Sequence, residues 1–325
     1  LERALERLED SNLSIINKEL IRRFKDDCLL SISTGRTVRY VQLLTRIVGW
    51  LDKDIDKADE SDLKKIVAKV NGMDYTDWTR QFYKITLRKF YSWLTKEDNP
   101  TITRWIQTTM KKNNGKLPED LLTVEEVEKL INAATNPRDK ALVSVLYESG
   151  CRIGEILGMR LKDVEFDQYG AKLIVTGKTG PRRVRIVTSA TYLSEWINNH
   201  PNKDNAVIGL WSRRKGKYDI EYGCIRGLLA QLCERAGIRK RVYPHIFRHS
   251  RATHLANHLT EAQMKEYFGW TQSSKMASVY VHLSGRDVDK ALLKVYGIAN
   301  NGDERQETGF KPKACMRCQE LNPPT

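Results

Sequence analysis

The apolar residues of this chain keep a helical period almost throughout and leave it clearly in only one place, which limits the fold to a mainly helical one with a small sheet. Over residues 17–94 they recur three or four positions apart, as in Leu20, Ile21 and Phe24, then Val41, Leu44, Ile47, Val48 and Leu51. Leu63, Ile66, Val67 and Val70 continue the series, and Phe82, Ile85, Leu87, Phe90 and Leu94 close it. Such spacing predicts four or five short helices. The stretch AKLIVTGKTGPRRVRIVTS departs from it: residues 173–176 and 184–187 are rich in β-branched side chains and flank a turn holding Gly and Pro. It predicts one antiparallel hairpin. No internal repeat or low-complexity tract interrupts this pattern.

A chain of 325 residues, 40% hydrophobic, is long enough to fill two cores. The polar segment KKNNGKLPE breaks the helical period, so the expected boundaries are a helical domain over 1–110, a linker over 111–122, a second domain over 123–300 and a tail over 301–325. In the second domain Thr123 and Glu126 have the spacing of a capping box, and Asn136-Pro137 ends the helix they open. ALVSVLYESGCRIGEILGM reads as a helical pair broken at Gly150, and CIRGLLAQLCERAGI as a helix stopped by Gly237. Thr260 and Gln263 cap EAQMKEYF, Gly269 ends it, and SSKMASVYVHL forms the next helix. No run of about 18 apolar residues is present, which excludes a membrane-spanning helix, and the charged opening LERALERLED is unlike a signal peptide. The expected setting is the cytoplasm. The chain opens at Leu1 without a methionine and closes at Thr325 after half of a motif, which reads as a trimmed piece.

Lys and Arg number 55 against 41 Asp and Glu, a net charge of +14 that favours a polyanion through counterion release. Nucleic acid is the first candidate, against a basic surface that binds nothing. Three clusters fit a groove that follows phosphates: Arg182, Arg183 and Arg185; Arg213, Arg214 and Lys215; Arg239, Lys240 and Arg241. Arg80, Lys84 and Arg88 give the last helix of the first domain a basic side interleaved with Tyr83 and Tyr91. A solvated helix face explains any single one of these equally well. Of six cysteines, Cys28, Cys151, Cys224 and Cys233 are scattered as reduced core thiols would be, while Cys315 and Cys318 form a close pair.

One late tyrosine, of thirteen, has suggestive company: Tyr280 follows His245 and Arg248 in PHIFRHS and Gly269-Trp270 in FGW. A phenol with a pKa near 10 is a poor nucleophile at neutral pH and needs cationic help. Arginine suits attack at phosphorus, because its planar fork grips phosphate in pairs of hydrogen bonds and keeps its charge. Arg152, at the start of a helix after Gly150, supplies a second such group.

In that order the motifs resemble the tyrosine recombinase, or phage integrase, family, in a form similar to archaeal integrases. SGCRIGEIL is similar to its first arginine box, GKTGPRRVRI to its lysine hairpin and PHIFRHSRATHL to its second box. FGW with SSKMASVYVHLSGRD is similar to its nucleophile box. The resemblance implies a SAM-like helical core-binding domain plus a catalytic domain that together clamp DNA. It implies that Arg152 and Arg248 hold the scissile phosphate while Tyr280 attacks it, forming a 3′-phosphotyrosyl bond and freeing a 5′ hydroxyl. Lys178 would protonate the leaving oxygen, and His245 would assist proton transfer at the tyrosine or bond the phosphate. Trp270 stands where many members carry histidine; an indole donates a hydrogen bond but cannot shuttle a proton. Glu155, three residues after Arg152, would orient a basic neighbour or simply face solvent. The covalent bond stores the phosphoester energy, so no metal or nucleotide cofactor is expected. The implied partners are double-stranded DNA attachment sites, held by a homotetramer on two duplexes, in the recombination system of an archaeal virus or mobile element.

Several features stand apart. The interval from Trp270 to Tyr280 is one residue longer than the family's commonest spacing. Lys178 is chosen by its position in the hairpin, since Arg182 and Arg183 follow the turn. His245 and His249 lie one helical turn apart without the carboxylate that a zinc-protease pattern needs, so His249 is read as structural or DNA-facing. Cys315 and Cys318 look like half of a zinc ribbon, which two thiolates cannot close, so a disordered tail is expected, with zinc only in a longer parent. The rival readings are a type IB topoisomerase-like or chromosome-dimer resolvase activity, and a DNA-binding factor that keeps the fold without cleavage.

Overall fold

The computed structural model describes residues 1–109, 120–177, 179–213, 220–283, 313–314 and 321–322. Its contacts divide the chain into two compact units, Leu1–Asn114 and Gly115–Thr325, each with its own apolar core.

The first unit is helical: α1 (Glu2–Glu9), α2 (Ile15–Ser31), α3 (Thr34–Val48), α4 (Glu60–Gly72), α5 (Asp77–Thr95) and α6 (Thr101–Arg104). The periodic residues form its core, with Ile21, Leu44, Leu63, Leu87 and Phe90 all buried. Ser14 accepts from the Asn17 N–H, Asp59 and Asp62 form a capping box, and Thr76 accepts from the Thr79 N–H. Each cap contributes about 1 kcal/mol. Two helices are longer than expected, α2 at 17 residues and α5 at 19, because neither contains Gly or Pro. Tyr83 and Tyr91 correct the reading of α5: both are buried, and the Tyr91 hydroxyl donates to the Ile55 carbonyl at 2.7 Å. They belong to the core rather than to the basic side.

The second unit is built around α8 (Pro137–Ser149), in which both faces are buried. Around it lie α7 (Val124–Ala133), α9 (Ile153–Leu157), α10 (Ser189–Asn198), α11 (Tyr222–Ala236), α12 (Pro244–Leu255), α13 (Glu261–Phe268) and α14 (Met276–Leu283). The expected hairpin is present as β2 (Gly170–Gly177) and β3 (Gly180–Ile186), in a register that pairs Val175 with Arg182 and Gly177 with Gly180. A strand that the sequence reading lacked, β1 (Val164–Asp167), pairs with β2 and completes a three-stranded antiparallel sheet. It is only four residues long and largely exposed, so the alternation of Val164, Glu165, Phe166 and Asp167 is too brief to mark a strand.

Helix α10 was also absent from that reading, and its start explains why. No side chain caps it locally. The Glu148 carboxylate accepts from the N–H groups of Val187, Thr188 and Ser189 at 2.8, 3.1 and 2.6 Å, so the cap comes from a residue about forty positions earlier. At four residues of the expected tail the structure differs from disorder: Lys313–Ala314 (β4) and Leu321–Asn322 (β5) pair as an antiparallel ladder. Cys315 and Cys318 lie outside the described residues. No described helix is long and apolar enough to cross a membrane.

Candidate active site

Gly150 allows the site to form. It sits between α8 and α9 with a left-handed φ of 55°, and a Cβ there would lie 2.5 Å from Cε1 of Phe268. The glycine therefore turns the chain toward Arg152 and lets α13 approach. Its carbonyl accepts from Nη1 of Arg248 at 2.8 Å, and the Phe268 carbonyl accepts from Nη2 at 2.6 Å. The Arg248 side chain is buried, with its guanidinium 5.1 Å from the Phe268 ring centre and 5.5 Å from that of Trp270. Burial, then repulsion from Arg152, brings its pKa down to about 10, so it stays charged at neutral pH. A buried cation held by neutral carbonyls gains strongly from an arriving anion.

Arg152 is the half-exposed partner of this group. It precedes α9, donating from Nη1 to Oε1 of Glu155 at 3.0 Å and from Nη2 to the Gly269 carbonyl at 3.3 Å. Glu155 is the orienting carboxylate that one reading of the sequence allowed. Besides Arg152 it accepts from Nη1 and Nη2 of Arg182 at 2.9 and 2.8 Å, and its Oε2 takes the Arg152 backbone N–H at 2.8 Å. Burial alone would raise its pKa, but the bonds from Arg182 and Arg152 hold it near 2. Gly177 makes room for the carboxylate, since a Cβ there would stand 2.3 Å from Oε1. Arg182 is consequently turned inward, with Nε donating to the Tyr267 carbonyl at 3.1 Å. Expected among the DNA contacts, it is instead part of the frame that holds Arg152, because Glu155 offers a buried counter-charge that solvent cannot match.

Tyr280 lies on α14 and is buried. Its ring stacks on Trp270 at 5.5 Å between centres and 2° between planes, and Trp270 stacks in turn on Phe268 at 4.9 Å and 20°. The longer interval after Trp270 thus still brings the two rings face to face, because Gly269, at φ 60°, ends α13 and lets residues 271–275 loop back to α14. Burial pushes the Tyr280 phenol up to about 12, with the charge of Arg248 opposing the shift. The hydroxyl meets Nδ1 of His249, a residue that the sequence reading set aside as structural or DNA-facing. His245 is exposed, one turn earlier on α12, with its ring edge-on to His249 at 4.9 Å. The signal that would have found His249 is its place directly after Arg248, on a helix that packs on α14.

Lys178 lies outside the described residues, but the hairpin that carries it reaches this site. Gly177 touches Glu155, and the Thr179 hydroxyl donates to the Gly269 carbonyl at 3.4 Å. Among the other basic candidates, Arg183, Arg213, Arg239 and Arg241 are exposed. Arg185 pairs with Asp167 at 2.5 Å, and Lys240 binds the Leu121 carbonyl and Glu126, each at 2.9 Å. In the first unit Arg80 donates to the Met73 carbonyl at 2.9 Å and Arg88 to Asn99 at 3.0 Å, while Lys84 is partly buried. Arg214 and Lys215 lie outside the described residues. No group of three or more His, Cys, Asp or Glu is placed to hold a metal among the described residues.

Comparison with known proteins matches residues 120–286 to the phage integrase family and residues 21–98 to the phage integrase N-terminal SAM-like domain. Tyrosine recombinase XerC of Oceanobacillus iheyensis is 31% identical over 229 residues, covering 66% of this chain and 73% of the relative. Tyrosine recombinase XerD of Bifidobacterium longum is 26% identical over 287 residues, covering 82% of this chain and 91% of the relative. Among solved structures, the XerH site-specific recombinase bound to difH substrate, in a pre-cleavage complex, superposes with a TM-score of 0.65 at 18% identity. That match spans 86% of this chain and 95% of XerH. At that identity the likeness speaks for the fold.

Proposed function

This chain belongs to the phage integrase family of tyrosine recombinases, and from that premise we propose that it cuts and rejoins duplex DNA at specific sites through a 3′-phosphotyrosine at Tyr280. One observation carries the reading: Tyr280 and Arg248 share an aromatic stack, the phenol lying flat on Trp270 and the guanidinium set against the same indole. A nucleophile and a buried cation gathered on one ring suit an in-line attack on an anionic phosphorus. Arg152 and Arg248 hold the non-bridging oxygens, Tyr280 displaces the 5′ oxygen, and Lys178 on the hairpin protonates it. Trp270 supports the phosphate and fixes the phenol. Because the phosphotyrosyl bond keeps the energy of the broken phosphodiester, resealing needs no nucleotide.

Duplex DNA is the proposed partner. The XerH site-specific recombinase of similar fold was captured bound to difH substrate, and the net charge of +14 favours a polyanion. Exchange between two duplexes cuts four strands, so the proposed working form is a homotetramer with one Tyr280 per strand. A duplex nicked beside its cleavage site, which loses a short fragment after attack, tests the reading. Wild-type protein should accumulate a covalent adduct and Tyr280→Phe none; the reading fails if wild type leaves no adduct or Tyr280→Phe leaves as much. Recombination between two differently marked duplexes then separates exchange from simple relaxation of supercoils.

A further inference from the structure

We infer that His249 is the base that takes the proton of Tyr280 as the phenol attacks, and the acid that returns it when the strand is resealed. The inference rests on the reading of Tyr280 as the nucleophile.

The hydroxyl of Tyr280 is hydrogen-bonded to Nδ1 of His249, so the imidazole touches the reacting atom. For Nδ1 to accept, the ring carries its hydrogen on Nε2. The sequence Arg248-His249 places two functions on adjacent positions of α12, about 100° apart around the helix. Arg248 points inward to the carbonyls of Gly150 and Phe268, while His249 turns to α14. A single rigid helix therefore sets both the phosphate grip and the proton acceptor. The phenol needs such an acceptor, since burial leaves it harder to ionise than a free tyrosine. An imidazole, which titrates near neutrality, can take the proton and give it back. Trp270, stacked on the phenol at 2° between planes, offers no basic nitrogen. His245, exposed and edge-on to His249, is the histidine left to face solvent or phosphate.

The step balances without a further reactant. The Tyr280 proton passes to Nδ1, the Oη lone pair forms the bond to phosphorus, and the P–O5′ bond breaks with its electron pair on O5′, which is protonated by the general acid. In ligation the 5′ hydroxyl loses its proton to that acid's conjugate base and attacks phosphorus, and Tyr280 leaves with the proton from His249.

His249→Asn keeps a polar group near the Nδ1 position but cannot take up a proton. Single-turnover adduct formation on the nicked duplex should slow by on the order of 10²–10³-fold, as expected for loss of a general base. Placing a fluorinated tyrosine of lowered phenol pKa at position 280 should shrink the gap between the wild-type and His249→Asn backgrounds to about tenfold or less. A 5′-bridging sulfur, whose thiolate leaves without a proton, should not shrink it. Adduct formation at the wild-type rate in His249→Asn overturns the proposal, and so does a defect that the fluorinated tyrosine leaves unchanged, since a purely structural role would behave that way. A defect erased by the bridging sulfur reassigns His249 to the leaving group and equally overturns it. Absence of adduct in the wild type, by contrast, defeats the underlying reading of Tyr280.

Discussion

Glu155 shows how one carboxylate organises the basic residues around it. It lies buried between Arg152 and Arg182, and its pKa near 2 against a reference of 4.5 makes the folded state prefer the ionised form. A folded pKa below the unfolded one adds stability that is complete above the unfolded pKa and is lost as pH falls toward the folded one. From pH 7 to pH 3 the loss amounts to about 2 kcal/mol. Urea unfolding at the two pH values should therefore show the stability gap between wild type and Glu155→Gln narrowing by about that amount; an unchanged gap would contradict the assignment. Glu155 itself was legible in the sequence as a candidate orienter of a basic neighbour, beside the alternative of a solvent-facing carboxylate. Its second partner was not, because Arg182 sits in a basic run and only the β2–β3 register turns its side chain inward while Arg183 faces out. His249 was hidden for a similar reason, since its function depends on which side of α12 meets α14.

At the scale of elements, local rules predicted the pieces that carry their own signals. The capping boxes at Thr123 and Thr260, the Gly150, Gly237 and Gly269 helix ends and the β2–β3 hairpin appear where those signals place them. Elements held by remote groups were missed: α10 draws its cap from Glu148, and β1 depends on β2 for its backbone partners. The joint at Gly150 is the most exacting of these pieces. Gly150→Ala must hold a left-handed φ and drive a methyl into Phe268, so we expect a loss of about 2–3 kcal/mol in urea unfolding. Gly154→Ala, on α9, meets nothing within 4 Å and should be neutral or stabilising by up to about 1 kcal/mol. Equal effects at the two sites would contradict the role given to Gly150.

Across the whole molecule, charge predicts the kind of partner but not where it touches. Composition gave a net charge of +14, yet the basic runs divide once folded: Arg183, Arg213, Arg239 and Arg241 are exposed, while Arg182 pairs with the buried Glu155 and Lys240 with the half-buried Glu126. Salt titrations of DNA affinity separate the two groups. Arg239→Ala should lower the slope of log K against log salt by about 1, whereas Arg182→Ala should leave the slope unchanged and slow cleavage. The reverse pattern would mean that Arg182 contacts phosphate directly. The division into two units and the motif order were legible because each depends on residues near one another in the chain. The wiring of the site was not, because it joins α8, α9, α12, α13, α14 and the hairpin across more than a hundred positions.

The phosphotyrosyl bond proposed at residue 280 is tested most directly by digesting the protein–DNA adduct formed on the nicked duplex and sequencing the DNA-linked peptide by mass spectrometry. The 3′ phosphate should be carried by Tyr280, in the peptide around MASVYVHL, and the other strand end should bear a free 5′ hydroxyl. Attachment at any other tyrosine, or a 5′-phosphotyrosyl linkage, would contradict the assignment of Tyr280.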